Sequence, residues 1–309
     1  MSLKLTILGC HSATPRTFAH PTAQFLDIKN HSFLIDCGEG TQVQLRKYKI
    51  KFSRINHIFI SHLHGDHFFG LVGLLSTFNL YNREQELHIY GPKGIKEIVT
   101  LQFKLSNSWT KYPLIFHELG SKKSELIFED DKITVETIPL KHRVYTNGFL
   151  FKEKSPKELH LNMTAILKYP EIEICHYHNI KKGNDFISEK GTIINNDLLT
   201  TLPSKPICYA FCSDTIYDPE IVPIIKNVDL LYHESTFLKD KKETAKTTMH
   251  STAEEAGMIA QQALVKTLIL GHYSSRYRDL TRFQQEASAF FENTHLAEEG
   301  KVFEIFPAD

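Results

Sequence analysis

Apolar and polar residues run along this chain in short segments whose period switches between two and about 3.6. Leu3-Lys4-Leu5-Thr6-Ile7-Leu8 predicts an opening strand, and Gln24 to Ile28 with Ser32 to Ile35 predicts a hairpin around Lys29-Asn30-His31. Gly40 to Tyr48 reads as a helix. His67 to Tyr81 reads as another, with Phe68, Leu71, Leu74, Leu75 and Phe78 forming its apolar stripe. Between them Ile55 to Ser61 has strand character, as do Leu87 to Tyr90, Lys132 to Ile138, Ile207 to Phe211, Val228 to Tyr232 and Lys266 to Leu270. Ala253 to Ala263 and Gln284 to Phe291 complete the predicted helices. From about residue 151 to residue 205 the periodicity loosens around Lys152-Glu153-Lys154, Lys181-Lys182-Gly183-Asn184 and Gly191. That stretch is too long for an ordinary connection, so it predicts an insert with its own task. The pattern as a whole predicts an α/β chain, two sheet-rich halves with helices outside and one protruding insert.

Composition narrows this picture only slightly. With 309 residues, 41% hydrophobic and 23% charged, the chain can bury a sizeable core in one large α/β domain or two ordinary ones. Its 36 basic and 36 acidic residues cancel, so any nucleic-acid contact must come from local patches. Candidates are Arg46 to Lys51 with Arg54, Lys239 to Lys242 with Lys246, and Arg276, Arg278 and Arg282. Five cysteines without ladder spacing argue against a disulfide scaffold, and Cys208 and Cys212 read as reduced core residues. The first residues read as a strand rather than a leader, and no apolar run approaches about 18 residues. A cytoplasmic location without membrane contact is the expectation.

Chemistry enters at His62-Leu63-His64-Gly65-Asp66-His67, which sets four metal-ligand side chains within six residues after an apolar strand. With 17 histidines some clustering is expected by chance, but HxHxDH in this position is far more specific than a lone HxH. Extended alternation sends His62, His64 and Asp66 to one side, and the following turn can bring Asp66 and His67 toward a second ion. Gly65 is expected to free the backbone for a tight bend. Two ions need further ligands, and three residues at strand ends qualify: His142, Asp214 and His272. Alone, His142 reads equally as a surface histidine and Asp214 as a turn or cap residue, and His272 by itself is a weak signal. Together with the first cluster they make five histidines and two aspartates, a donor set suited to zinc.

Further motifs carry a resemblance. Asp36-Cys37-Gly38-Glu39-Gly40-Thr41-Gln42 resembles DxGEGTQ, His233-Glu234-Ser235-Thr236 resembles HEAT, and His250-Ser251-Thr252 is HST. His272-Tyr273-Ser274-Ser275-Arg276-Tyr277 is similar to HFSSRY, and Gly9 to Pro15 to GTGSATP. In this order, from near residue 7 to near residue 277, the set resembles the metallo-β-lactamase superfamily and, within it, the ribonuclease Z family. The resemblance implies an αβ/βα four-layer sandwich, two mixed sheets flanked by helices, as a single domain over residues 1–309. Residues 151–205 would be the inserted arm that contacts tRNA. It implies two zinc ions per subunit, with other divalent ions as substitutes and no organic cofactor. One ion would be held by His62, His64, His142 and Asp214, the other by Asp66, His67, His272 and the shared Asp214. Asp66 would also serve as base, His250 with Glu234 as proton donor, and Arg276 as a phosphate ligand. The implied activity is removal of 3′ trailers from precursor tRNA by phosphodiester hydrolysis in a homodimer.

Plainer roles stand beside these. Glu234 can cap or pair at a strand end, Ser251 or Thr252 can cap the helix at Ala253, and Asp36 can be a turn acid instead of a histidine-orienting one. Glu39 is open between orienting a histidine and serving as an acid at a helix N-terminus. Two departures from the family pattern also stand out. Residues 152–205 hold eight Lys and seven Asp or Glu with no recognisable glycine-proline tip, and the loop after Pro15 reads Arg16-Thr17-Phe18-Ala19-His20-Pro21. The weakened arm favours somewhat a small-molecule phosphodiesterase or arylsulfatase-like hydrolase of the same fold, and the HEAT-, HST- and HFSSRY-like motifs disfavour it. A non-catalytic RNA- or protein-binding relative is the reading from another class, and the complete set of seven ligands argues against it.

Overall fold

Seven strands form the first sheet of the computed structural model, which describes residues 3–156 and 158–306. Val302–Ile305, β1 (Leu3–Gly9), β2 (Ala23–Ile28) and β3 (His31–Ile35) pair antiparallel. β4 (Ile55–Phe59), β5 (Leu87–Pro92) and β6 (Leu114–Leu119) then continue in parallel. The second sheet also has seven strands. Thr294–Leu296, Thr267–Gly271, Leu230–Glu234 and Cys208–Cys212 are parallel, followed antiparallel by β9 (Thr146–Glu153), β8 (Ile133–Leu140) and β7 (Leu126–Glu129).

The period of two explains the layering. Leu5 and Ile7 of β1, Phe33 and Ile35 of β3, and Phe59 of β4 meet Phe149, Phe151, Tyr209 and Phe211 of the other sheet in one buried core. The alternate residues Leu8, Leu34 and Ile58 point outward, where Leu45, Leu74, Phe78, Val99 and Phe103 from three helices cover them. Helices Ala253–Gln262 and Thr281–Ser288 cover the second sheet, with Ala256, Ile259, Ala260 and Phe283 buried. The result is helix, sheet, sheet, helix: the four-layer arrangement.

Several elements differ from their sequence expectation. The helix expected over His67 to Tyr81 is two helices, Gly65–Phe68 and Leu71–Leu80. Gly70 donates its N–H to the Cys37 carbonyl (2.9 Å), and Cys37 donates to the His67 carbonyl (2.7 Å), so contact with the loop after β3 interrupts the helical ladder. Helix Ile95–Leu105 and strands β6, β7 and the first half of β9 were not anticipated, and the last helix starts at Thr281 rather than Gln284. Lys152 and Glu153 are not part of a loosened segment: β9 pairs there with β8 and with Cys208, and Lys152 reaches Glu136 at 2.9 Å. Beyond β9 the chain leaves the sheet and returns at Cys208. In between, two-residue ladders join His160–Leu161 to Thr200–Thr201 and Phe186–Ile187 to Ile193–Ile194. Ile166, Ile172, Ile180, Phe186, Ile194 and Leu199 form a separate small core there. Lys157 of this segment lies outside the described residues. All five cysteines are free, and among the described residues no helix is long and apolar enough to cross a membrane.

The helix cap left open between Ser251 and Thr252 is Thr252. Its Oγ1 accepts the Glu255 N–H while Glu255 accepts the Thr252 N–H at 2.9 Å, whereas Ser251 donates to the Thr215 carbonyl. Thr252→Ala is expected to lower stability by about 1 kcal/mol, read as a reduced midpoint in thermal melting.

Candidate metal centre

The carboxyl ends of β3, β4, β8 and of strands Cys208–Cys212, Leu230–Glu234 and Thr267–Gly271 come together at one edge of the two sheets. Each delivers a polar side chain just past its last residue: Asp36, His62, His142, Asp214 and His272, with Glu234 closing its own strand. The backbone is unusual there. Asp36, Asp214 and His272 have φ of 56°, 49° and 60°, left-handed values that non-glycine residues adopt at a cost. Three such residues at one rim indicate that side-chain placement dominates local preference.

The seven sequence candidates converge into two groups that share Asp214. In the first, His62 Nε2 lies 3.0 Å from His64 Nδ1 and 3.5 Å from Asp214 Oδ2, and His142 Nε2 lies 3.3 Å from His64 Nδ1. In the second, His272 Nε2 lies 3.4 Å from His67 Nε2, 3.3 Å from Asp66 Oδ2 and 3.1 Å from Asp214 Oδ1. Donors about 2.0–2.1 Å from a tetrahedral ion stand about 3.3–3.4 Å apart, so both groups have the spacing of a zinc shell. His62, His64, His142 and Asp214 could hold one ion, and Asp66, His67 and His272 another, each with one oxygen of Asp214.

The outer nitrogens of four imidazoles fix which lone pairs face inward. His67 Nδ1 donates to Asp36 Oδ2 (2.6 Å) and His142 Nδ1 to the Met249 carbonyl (2.9 Å). His62 Nδ1 donates to Ser61 Oγ (3.0 Å), whose proton goes to Asp36 Oδ2 (2.9 Å). His272 Nδ1 donates to Thr236 Oγ1 (2.8 Å), whose proton goes to Glu234 Oε2 (2.6 Å). In the neutral imidazoles these acceptors place the proton on Nδ1 and aim the Nε2 lone pairs at one another, an arrangement that a cation between them stabilises. Met249, at φ 57°, turns its carbonyl to His142 from the end of helix Lys242–Thr248. Ser61, Thr236 and Met249 were not identified from sequence; a carbonyl acceptor leaves no residue-type signal, while a serine beside the histidine cluster is a weak one.

Electrostatics agree with a cation-binding donor set. Burial and neighbouring imidazoles hold the His62 pKa well below its usual value, and burial lowers those of His64 and His142. Burial opposes charge on His67 as well, yet Asp214, Asp66 and Asp36 raise its pKa well above the ordinary imidazole value. Burial disfavours the charged form of Asp214, but His272, His67 and His62 hold its pKa well below the usual carboxylate range. A cation and a second proton therefore compete for His67 Nε2. Metal affinity is expected to rise with pH through neutrality and fall on acidification, with proton release measurable by calorimetry in buffers of different ionisation enthalpy.

Beside the ligands, His250 Nδ1 sits 2.7 Å from Glu234 Oε1, which also accepts the Thr215 N–H at 2.9 Å. Burial lowers the His250 pKa, but Glu234 outweighs it and lifts the value to about 9. Although His250 lies near Asp214 and His272, its Nδ1 is committed to Glu234, which suits it to carrying a proton rather than a metal. His64, Asp66, Asp214, His250 and His272 line an open cavity of about 470 Å³ with Ser12, Thr14, Phe69 and Arg143. Arg276 lies on its rim, its guanidinium carbon 5.4 Å from the Phe237 ring centre, and Glu39 is an exposed rim residue. Gly65 begins the short helix without a left-handed bend; a Cβ there would lie 2.3 Å from the Phe69 ring, so contact rather than turn geometry explains it. Of the basic patches, Arg54 is paired with Asp27, Lys239 with Glu254 and Lys242 with Glu255.

Asp36→Asn would present an amide donor to His67 Nδ1 and push its proton to Nε2. A 10–100-fold loss of metal affinity is the expected size, measured by competition with a chromogenic chelator, with the fold retained.

Comparison with known proteins gives consistent neighbours. The family described as Anti-Pycsar protein Apyc1 matches residues 3–156, just under half of the chain and short of Asp214, His250 and His272. Ribonuclease Z from Bacteroides fragilis is 48% identical over 297 residues, covering 96% of this chain and 97% of its own. The crystal structure of human tRNase Z, short form (ELAC1), superimposes with a TM-score of 0.70 at 27% identity, covering 97% and 98% of the two chains. The metallo-β-lactamase fold protein YhfI from Bacillus subtilis does so with a TM-score of 0.68 at 19% identity over 98% of this chain and 100% of its own, a likeness of fold.

Proposed function

The chain belongs to the ribonuclease Z family, with the metallo-β-lactamase fold, and from that premise we propose that it is a zinc-dependent endoribonuclease acting on precursor tRNA. It removes the 3′ trailer, leaving a 3′-hydroxyl on the tRNA and a 5′-phosphate on the trailer. The observation that carries this reading is the pair of donor groups sharing Asp214, beside a His250–Glu234 pair whose imidazole lines an open cavity.

Two zinc ions held by these seven residues would supply a nucleophile at neutral pH and offset charge on the phosphoryl oxygens. Asp66 faces His67 and His272 through Oδ2 and lines the cavity, a position from which its carboxylate orients the nucleophile and accepts its proton. His250 is kept protonated by Glu234 and delivers a proton to the departing 3′-oxygen. Arg276 holds a non-bridging oxygen through its planar fork, its stem steadied by Phe237. The segment between β9 and Cys208 contacts the tRNA body, and because its charge is balanced, that contact is one of shape more than of charge. The protein acts as a cytoplasmic homodimer, which light scattering of the purified protein checks.

The test is incubation with a precursor tRNA bearing a 3′ trailer and, separately, with bis(p-nitrophenyl) phosphate, each with and without chelator. Chelator-sensitive trailer removal is expected. Cleavage of the small diester without trailer removal would sink the tRNA reading and point to a small-molecule phosphodiesterase.

A further inference from the structure

A second cavity, of about 800 Å³, begins directly behind the metal-ligand candidate His142. It adjoins the first, since Arg143 lines both. The Met249 carbonyl that orients His142 belongs to its wall. Its floor is apolar and aromatic: Val144 is 39% exposed, and the Tyr145 ring is fixed by a hydroxyl that donates to the Ser121 carbonyl (3.0 Å) and accepts from Asn147 Nδ2 (2.8 Å). Its rim is cationic. Lys122, Lys123 and Arg143 are exposed and, among the described residues, have no carboxylate within ion-pair distance. The two carboxylates of its lining, the buried Asp218 and the exposed Glu220, are both engaged by Lys141 at 2.9 and 2.8 Å.

An apolar floor with unpaired cations along the edge is the surface that single-stranded nucleic acid takes, phosphates on the cations and bases on the ring faces. A strand crossing the reaction site must leave it on two sides, and this cavity adjoins one of them. We propose that it receives the first nucleotides of the 3′ trailer, with Lys122, Lys123 and Arg143 contacting phosphates and Val144, Tyr145 and Met249 contacting bases. The inference rests on the precursor-tRNA reading above. It makes the trailer a recognised part of the substrate, so the enzyme distinguishes precursors by what lies beyond the cut as well as by the tRNA body.

The experiment compares two precursors that differ only in the trailer, a single nucleotide against a long unstructured strand, using wild type and the double variant Lys122→Ala/Lys123→Ala. The expected result is a roughly tenfold rise in KM confined to the long trailer, with kcat retained. The salt dependence of log KM should lose about 1.4 in slope, the share of two single-strand phosphate contacts. A free 5′-phosphorylated trailer strand should also inhibit the wild type more strongly than the variant. Equal effects on both precursors, or none on either, overturn the trailer site and leave the function standing. Failure of the wild type to cut either precursor while cutting bis(p-nitrophenyl) phosphate overturns the function and the trailer site together.

Discussion

Asp214→Ala is expected to lower turnover of precursor tRNA by more than about a thousandfold and to reduce bound zinc from two equivalents to one or fewer. The reason is geometric. Asp214 Oδ2 faces His62 and His142 while Oδ1 faces His67 and His272, so one substitution removes a donor from both groups. It also removes the carboxylate that faces His67, His272 and His62 at 3.2, 3.1 and 3.5 Å. Substituting His64 alone affects one group and should leave the other loaded. Zinc analysis by mass spectrometry separates the two cases, and retention of two tightly bound ions in Asp214→Ala would remove the sharing of this carboxylate from the account.

Asp66→Ala is the second large effect. Asp66 touches only the His67 and His272 side of the centre and lines the cavity, so a loss in kcat of about 10²–10⁴-fold is expected at saturating zinc. RNA affinity, set by phosphate contacts away from this carboxylate, should stay within a few-fold of wild type. The comparison between binding and turnover is the informative quantity. A near-normal rate at full zinc occupancy would assign the proton transfer to another group.

Much of this site could be read from residue order, because ligand chemistry restricts residue type so strongly. His62, His64, Asp66 and His67 stand in one short segment, and His142, Asp214 and His272 follow apolar runs whose strand character was plain. What periodicity could not supply was contact between distant segments. The Cys37–Gly70 and Cys37–His67 backbone bonds that split the expected helix join residues 33 and 30 positions apart, and no local pattern encodes them. Lys152 and Glu153 looked like insert because they are charged, but they sit in a sheet where Lys152 is neutralised by Glu136 and Glu153 by Lys29. Helix Ile95–Leu105 was overlooked although Ile95, Val99 and Phe103 repeat at helical spacing. The hydrogen bonds that orient the imidazoles were hidden for a different reason. Met249 acts through its carbonyl and a left-handed φ, and Thr236 through a hydroxyl that both accepts from His272 and donates to Glu234.

A single two-ion centre built on a shared aspartate is tested by the anomalous scattering of zinc in crystals of the protein. Two zinc peaks per chain are expected, one among His62, His64 and His142 and one among Asp66, His67 and His272, with Asp214 touching both. A single peak, or a second ion bound without Asp214, would contradict it.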